Sequence, residues 1–462
     1  MIPILLVDFG STFTKVTGVD VEQGILLGTE RSFTTIDSDM TNGLNHAVEK
    51  LEGKIGRIKW VKRLGCSSAA GGLKMVAIGL VPELTSKAAK TAALSAGAKI
   101  LKTYSYKLNQ DEVKAIEDSA PDIVLLSGGT DGGNEKVVRH NAKLLALAQG
   151  AYPVIYAGNK SMVTEVKALF ESSDKDLIVT DNVMPTMEEL AIDDVKKVIA
   201  DLFIHRIIQA KGLSKAEDYL DKLLMPTPTA VMKATNLLAS GTEMTKGLGD
   251  LMVVDMGGAT TDIHSACNGY PSSGNTVFKG LREAYIKRTV EGDLGARYSL
   301  RALVEAIGME RMALQLGWSR DELEGLILEV EGHPESIPES GSTLEALDTL
   351  SSTVAVIESA KRHSGSVTTH YTPFGEMFEQ VGKDLTAIKS VIGTGGPIIH
   401  HPNSKELLSH VCYDPREPMS LRPKQPNYYI DQSYIMAAMG ILATEYPEEA
   451  LKIMLKEVVQ MS

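Results

Sequence analysis

Between Leu5 and Asp20 the chain reads LLVDFGSTFTKVTGVD, and within it Asp8, Gly10, Ser11, Thr12 and Lys15 bring together an acid, a turn glycine, two hydroxyls and a cation. An apolar strand that ends in Asp and turns tightly through Gly points consecutive backbone N–H groups into one concavity, which suits phosphate oxygens. The hydroxyls add donors. A carboxylate beside phosphate is repelled unless a cation lies between them, and hydrated Mg2+ held by one or two carboxylates and the phosphates is the simplest choice. Lys15 adds positive charge, although strand alternation can turn its side chain away from the bound group.

The arrangement returns in mid-chain. MVVDMGGATTD, Met252 to Asp262, again sets an apolar run before Asp, one residue, Gly, and then small and hydroxyl residues. A single offset aligns Asp8 with Asp255, Gly10 with Gly257 and Thr14 with Thr261. Two halves with one logic at their first strands predict a duplicated α/β domain, and two such turns facing each other would clamp a polyphosphate. A third turn, in SVIGTGGPII (Ser390 to Ile399), carries Gly393, Gly395 and Gly396 but no acid, which suits close approach to adenine and its ribose.

The elements that must carry these turns follow from apolar runs alternating with helical stretches, the pattern of α/β organisation. Strands are expected at 4–7, 15–19, 123–126, 154–156, 177–179 and 251–254, and helices at roughly 86–100, 136–148, 161–170 and 187–210. Thr186 and Glu189 are the expected cap of the last helix. MPTPTA, from Met225, reads as a proline-punctuated connector. Two helices, about 432–444 and 448–460, are expected to close the chain. With 462 residues there is more than one core, and the expected division is a first lobe over 1–245 with βα units inserted at about 120–215, a second over 246–430, and final helices 431–462 packing back on the first.

Composition excludes several classes. The chain is 43% apolar and 23% charged, as in soluble globular proteins. It has no apolar run of about 18 residues and no basic leader, so a cytosolic location is expected. A net charge of -12 without a basic block argues against nucleic acid and anionic membranes. Cys66, Cys267 and Cys412 lie too far apart for CxxC metal spacing and argue against a disulfide framework. Cys66 sits in a Gly/Ser/Ala-rich stretch without a partner His and reads as a small loop residue. SGGTDGG, from Ser127, follows a strand and precedes a helix but lacks the lysine of a Walker loop; a ligand loop and a tight βα turn both fit it.

Taken in order, Asp-x-Gly-Ser-x-x-Thr-Lys from Asp8, Asp-x-Gly-Gly-Ala-Thr-Thr-Asp from Asp255 and Gly-Thr-Gly-Gly-Pro from Gly393 resemble the phosphate-1, phosphate-2 and adenosine motifs of the actin, sugar kinase and heat-shock chaperone ATPase superfamily. YIMAAMGIL, from Tyr434, is similar to its second connecting helix. More narrowly, CSSAAGGLKMVAIGLV (Cys66 to Val81) and LLSGGTDGGN (Leu125 to Asn134) resemble the MutL/GlmL proteins associated with adenosylcobalamin-dependent glutamate mutase, unrelated to mismatch repair. The resemblance implies duplicated actin-like, ribonuclease H-like lobes with ATP and Mg2+ in a cleft between them. It places Asp8 and Asp255 on the Mg2+ waters, Gly10, Ser11 and Thr12 at the first phosphate turn, and Gly257, Gly258, Ala259 and Thr260 at the second. Gly395 and Gly396 fall at adenosine, Lys15 at a charged position, and Asp262 where some members carry an acid near the attacking water.

The implied role is a slow ATPase that maintains or reactivates a cobalamin mutase, glutamate mutase or a related aminomutase. A small-molecule kinase and a structural actin-like protein are the alternatives. An activator coupling ATP to electron transfer would need paired cysteines at an iron–sulfur cluster, which this spacing disfavours. Asp262-Ile263-His264 begins like the Asp-x-His-x-x-Gly cobalamin motif, but Cys267 holds the glycine position, so cobalt ligation by that route is not expected.

Overall fold

The computed structural model describes residues 1–10, 12–34, 40–68, 73–187, 189–209, 219–271, 273–334, 336, 338–373 and 375–461. Ser11 and residues 69–72 of the Cys66 stretch lie outside them. The chain forms two units, Met1–Lys233 with Gly280–Arg282 and Ala437–Glu449, and Ala234–Lys279 with Glu283–Met436 and Ala450–Ser462.

In the first unit β1 (Pro3–Phe9) is buried at every residue because it is the central strand. β2 (Phe13–Asp20) pairs with it antiparallel and β3 (Ile25–Phe33) continues the meander, while β4 (Lys62–Ser67) flanks β1 in parallel. Between β4 and the return of the chain to this sheet lies a second one, of β5 (Lys74–Gly79), β6 (Lys99–Ser105), β7 (Ile123–Leu126), β8 (Val154–Tyr156) and β9 (Leu177–Val179). Its strands are all parallel in the order β6-β5-β7-β8-β9, a doubly wound arrangement. Alternation divides β5 between two cores: Val76 and Ile78 pack with the helices Lys136–Leu147 and Val163–Phe170, whereas Met75 and Ala77 join Ala88, Ala92 and Val195. The inserted units thus begin at Lys74, well before the expected position near 120.

β10 (Lys222–Pro226) then pairs in parallel with β4 and completes the order β10-β4-β1-β2-β3. The stretch expected as a connector is therefore a strand running straight into the helix Thr227–Ser240, with Pro228 in its first turn, where its missing N–H costs nothing. The helix expected from Met187 starts at Asp193, and Asp193 and Asp194 place their charges at its positive end. Thr186 lies outside it.

The second unit contains β11 (Leu251–Met256), β12 (Thr261–Ala266), β13 (Thr276–Lys279), β14 (Ile286–Glu291), β15 (Ser366–Thr372), β16 (Gly375–Val381), β17 (Ser390–Thr394), β18 (Asn427–Asp431) and β19 (Val458–Gln460). The main sheet runs β14-β12-β11-β17-β18-β19; β13, β16 and β15 form a small sheet of their own. Read outward from β11, the antiparallel pair β12 and β14 on one side and the parallel pair β17 and β18 on the other repeat the order and sense of β2, β3, β4 and β10 around β1. The duplication expected from sequence is thus a duplication of topology, the ribonuclease H-like order of an actin-like fold.

The closing helices are Met436–Leu442 and Pro447–Glu457, and the chain then pairs β19 antiparallel with β18 in the second unit. Gly440 is pressed on the helix Thr227–Ser240 within the first unit: a Cβ there would lie 1.8 Å from the Ala230 carbonyl oxygen. Among the described residues no helix is long and apolar enough to cross a membrane.

Candidate functional site

The first turn is closed by Gly10, whose N–H donates to Phe13 O at 3.0 Å. A Cβ on Gly10 would stand 2.5 Å from that oxygen, so only glycine fits. Thr34 holds the outer side, its hydroxyl donating to Gly10 O at 2.9 Å and bonding Thr14 at 3.1 Å. Asp8 ends β1 opposite Lys15 and beside Cys66. Directly paired residues share a face, and Lys15 Nζ lies 3.8 Å from Asp8 Oδ2, so Lys15 is not turned away from the acid.

Two further groups hold Asp8. Thr227, at the start of the helix after β10, donates its hydroxyl to Asp8 Oδ1 at 2.6 Å, and Cys66 donates its thiol to the same oxygen at 3.4 Å. Cys66 is a buried residue of β4 rather than a loop residue. Burial, and then the charge of Asp8, pushes its thiol well up, which keeps it a neutral donor.

The second turn repeats the closing bond of the first. Gly257 N–H donates to Thr260 O at 2.8 Å, and Asp255 ends β11 opposite Asp262 and beside Thr394. Its carbonyls are occupied by the segment after β14. Gly258 O accepts from Arg297 N and Tyr298 N at 2.9 and 2.8 Å, and Ala259 O accepts from the Ser299 hydroxyl at 2.6 Å. Gly295 lets this segment approach, since a Cβ there would be 2.3 Å from the Ala259 carbonyl carbon. Among the described hydrogen bonds the N–H groups of Gly258, Ala259 and Thr260 have no protein acceptor, which is the donor-only surface an anion requires.

Asp262 takes the place of Lys15 and is engaged: Arg288 of β14 donates to its Oδ1 at 3.0 Å. Burial raises its pKa against the opposing pull of Arg288 and the Thr260 hydroxyl. His264, opposite Arg288 in the register, is buried on β12, and burial followed by the Arg288 charge keeps its imidazole neutral.

The third turn abuts the second. Gly395 has φ +94°, and a Cβ on it would lie 2.1 Å from Met256 O, at the end of the Asp255 strand. Thr394 donates to Asp431 at 3.1 Å, and the fully buried Asp431 accepts from Ile435 N and Met436 N at 3.0 and 3.2 Å, capping the helix Met436–Leu442. Asp8, Cys66 and Thr227 thus stand at the strand ends that Asp255, Thr394 and Asp431 occupy in the other unit. Thr227, Asp431 and the segment 294–299 were not singled out from sequence; their one signal is a hydroxyl, acid or glycine at the mouth of a helix or turn.

The SGGTDGG loop after β7 is held by its neighbours. Asn159 accepts from Gly132 N at 2.9 Å, Asn182 donates to Gly129 O at 3.1 Å and Asp131 at 3.0 Å, and Lys160 N donates to Asp131. Its polar groups brace adjacent loops, which favours the tight-turn reading.

Two units of one topology, each ending its central strand in Asp before a glycine turn, define a duplicated protein of the actin-like ATPase fold. The chain belongs to the MutL protein family, whose family model matches residues 4–458. The Protein MutL of Clostridium tetanomorphum is 46% identical over 460 residues, covering 99% of both chains. Among solved structures, a glycerol dehydratase reactivase aligns with 96% of this chain and 99% of its own at 11% identity and a TM-score of 0.35. Xylulose kinase from Bifidobacterium adolescentis aligns with 100% and 96% at 12% identity and a TM-score of 0.33. Both TM-scores are below 0.5, so the family assignment rests on the sequence matches.

Because Thr227 makes the shortest described contact of Asp8, Thr227→Val is expected to weaken the Mg2+-dependent ATP binding proposed below by about tenfold to 100-fold, the cost of one hydrogen bond to a charged group. Thr227→Ser should restore it. Titration calorimetry of the three proteins checks this, and equal affinity in Thr227→Val would remove Thr227 from the site.

Proposed function

We propose that this protein is a slow Mg2+-dependent ATPase that reactivates an adenosylcobalamin-dependent mutase, glutamate mutase or a related aminomutase. The observation that carries the nucleotide half is the recurrence of one carboxylate and one glycine-closed turn at the same point of both units. The residues fit the group: Asp8 is buried and fixed by Thr227, Gly258 to Thr260 offer N–H donors, and Gly395 keeps its backbone clear of a side chain. Asp8 and Asp255 would hold Mg2+ through water. Gly10, Ser11, Thr12 and Lys15 would meet phosphate with Gly257, Gly258, Ala259 and Thr260, and Gly395 and Gly396 would lie at adenosine. Bound Mg2+ would neutralise phosphate charge. Asp262 is held by Arg288, which supports slow hydrolysis without a strong base.

The mutase half is supported by membership of the MutL family and by the resemblance to its glutamate mutase-associated members. Adenosylcobalamin mutases fail when the cofactor loses its adenosyl group and the damaged cobalamin stays bound. A reactivator must let it leave. His264, buried beside Arg288, fits a protein that acts on the mutase rather than ligating cobalt through that histidine. Nucleotide state would change affinity for the mutase, and that difference would do the work of opening it.

In the test, mutase inactivated by bound hydroxocobalamin receives this protein, Mg·ATP and fresh adenosylcobalamin. Activity is expected to return, and to stay absent with Asp8→Ala. Cofactor release no faster with protein and ATP than without, for glutamate mutase and related aminomutases alike, would overturn the reactivation reading.

A further inference from the structure

A cavity of about 590 Å3 lies within the second unit, bounded by the helices Met309–Leu316 and Thr343–His363 and the stretch 409–422. This is the size of a small-molecule site. Ile307, Val354 and Ile357 give it apolar wall, and Arg311, Lys361 and Arg422 give it positive charge.

Most charges around it are already matched. Arg416 pairs with Asp414, Lys361 bridges Glu358 and Glu417, and Arg422 donates to Glu417 at 3.0 Å. One cation is left over. Arg311 is exposed and makes no ion pair among the described residues, whereas Arg422 is only 2% exposed and already held by Glu417. A carboxylate is the charge-assisted partner an unpaired guanidinium takes. The complementary occupant therefore has one negative head for Arg311 and an apolar body for Ile307, Val354 and Ile357.

The helix Thr343–His363 also leads away from this cavity to the second turn. Asp348 in its N-terminal half bonds Arg297 at 2.5 Å, and the Arg297 N–H is one of the two that hold Gly258 O. Val354 and Lys361 lie about 9 to 20 Å further along the same helix at 1.5 Å per residue. A ligand that fixes this helix would act on the brace of the turn without touching it.

We propose that the cavity is an effector site for a small organic monocarboxylate with an apolar body. Its occupation does not depend on the ATPase reading, because binding is measured without nucleotide. The test is calorimetry on the full chain with butanoate, hexanoate, octanoate and phenylacetate, each against its uncharged amide. At least one carboxylate is expected to bind saturably at one site, at least tenfold tighter than its amide. Arg311→Glu, on an exposed side chain, should weaken it at least tenfold, and Val354→Trp should abolish it by filling the cavity, with Gln315→Trp at the rim as substitute should Val354→Trp not fold. No saturable binding by any of the four, equal binding of acid and amide, or binding that survives both variants overturns the proposal. Mg·ATP affinity unchanged by saturating carboxylate would overturn the effector role, and absence of Mg·ATP binding in the unliganded wild-type protein, with carboxylate binding intact, would overturn the nucleotide reading alone.

Discussion

Asp8→Ala and Asp255→Ala are each expected to lower the affinity for Mg·ATP by about 100-fold or more, close to the level wild type shows when Mg2+ is chelated. The two acids hold the same register position in the two repeats, opposite the second strand of the hairpin and beside the first parallel strand. If each acid holds Mg2+ through water as proposed, losing either removes charge neutralisation from the phosphates, a loss of about 3 kcal/mol. Cys66→Ser should stay within about threefold, because serine retains a donor near Asp8. Equal calorimetric affinity in wild type and both alanine variants would sink the paired-turn site.

Gly440→Ala is expected to destabilise the protein by about 3 kcal/mol or more. The new methyl would fall 1.8 Å from Ala230 O, and backbone cannot yield as a flexible side chain does, so two helices must separate and lose their packing. Gly53→Ala is the matched control. It lies inside the helix Met40–Ile55 with nothing within 4 Å of the added carbon, and it should stabilise by up to about 1 kcal/mol. Urea unfolding of the three proteins separates the cases; a Gly440→Ala midpoint equal to wild type would mean the helices are not in contact at that residue.

What could be read in advance was whatever is local. Asp8 to Thr14 and Asp255 to Thr261 are each one strand, turn and strand, so their chemistry is contiguous in the chain and their repetition visible by alignment. Thr227 reaches Asp8 only because β10 joins β4 in parallel, and Asp431 reaches Thr394 only because β18 joins β17. No spacing encodes such neighbours. Lys62 to Ser67 lacks the alternation of a half-buried strand, so Cys66 read as loop. The register also reveals a second repeat too short to notice in sequence: Val7 pairs with Gly65 as Val254 pairs with Gly393. Each glycine leaves room for leucine side chains, Leu220 over Gly65 and Leu408 over Gly393. MPTPTA was misread because proline usually punctuates, whereas here Pro226 ends an edge strand and Pro228 begins a helix.

The doubly wound insertion also sets an order of assembly. The chain leaves β4 at Ser67 and returns to pair with it only at Lys222, after five other strands have been made. Closing so long a loop is entropically costly unless the intervening chain has already become compact, so the insertion should collapse before β10 docks. A nascent chain halted before Lys222 would present the outer edge of β4 with its N–H and C=O groups unpaired, a template for joining another chain. Synthesis of the first unit therefore passes through a stage at which it is prone to aggregate, and the arrival of β10 ends that stage in the same step that brings Thr227 to Asp8.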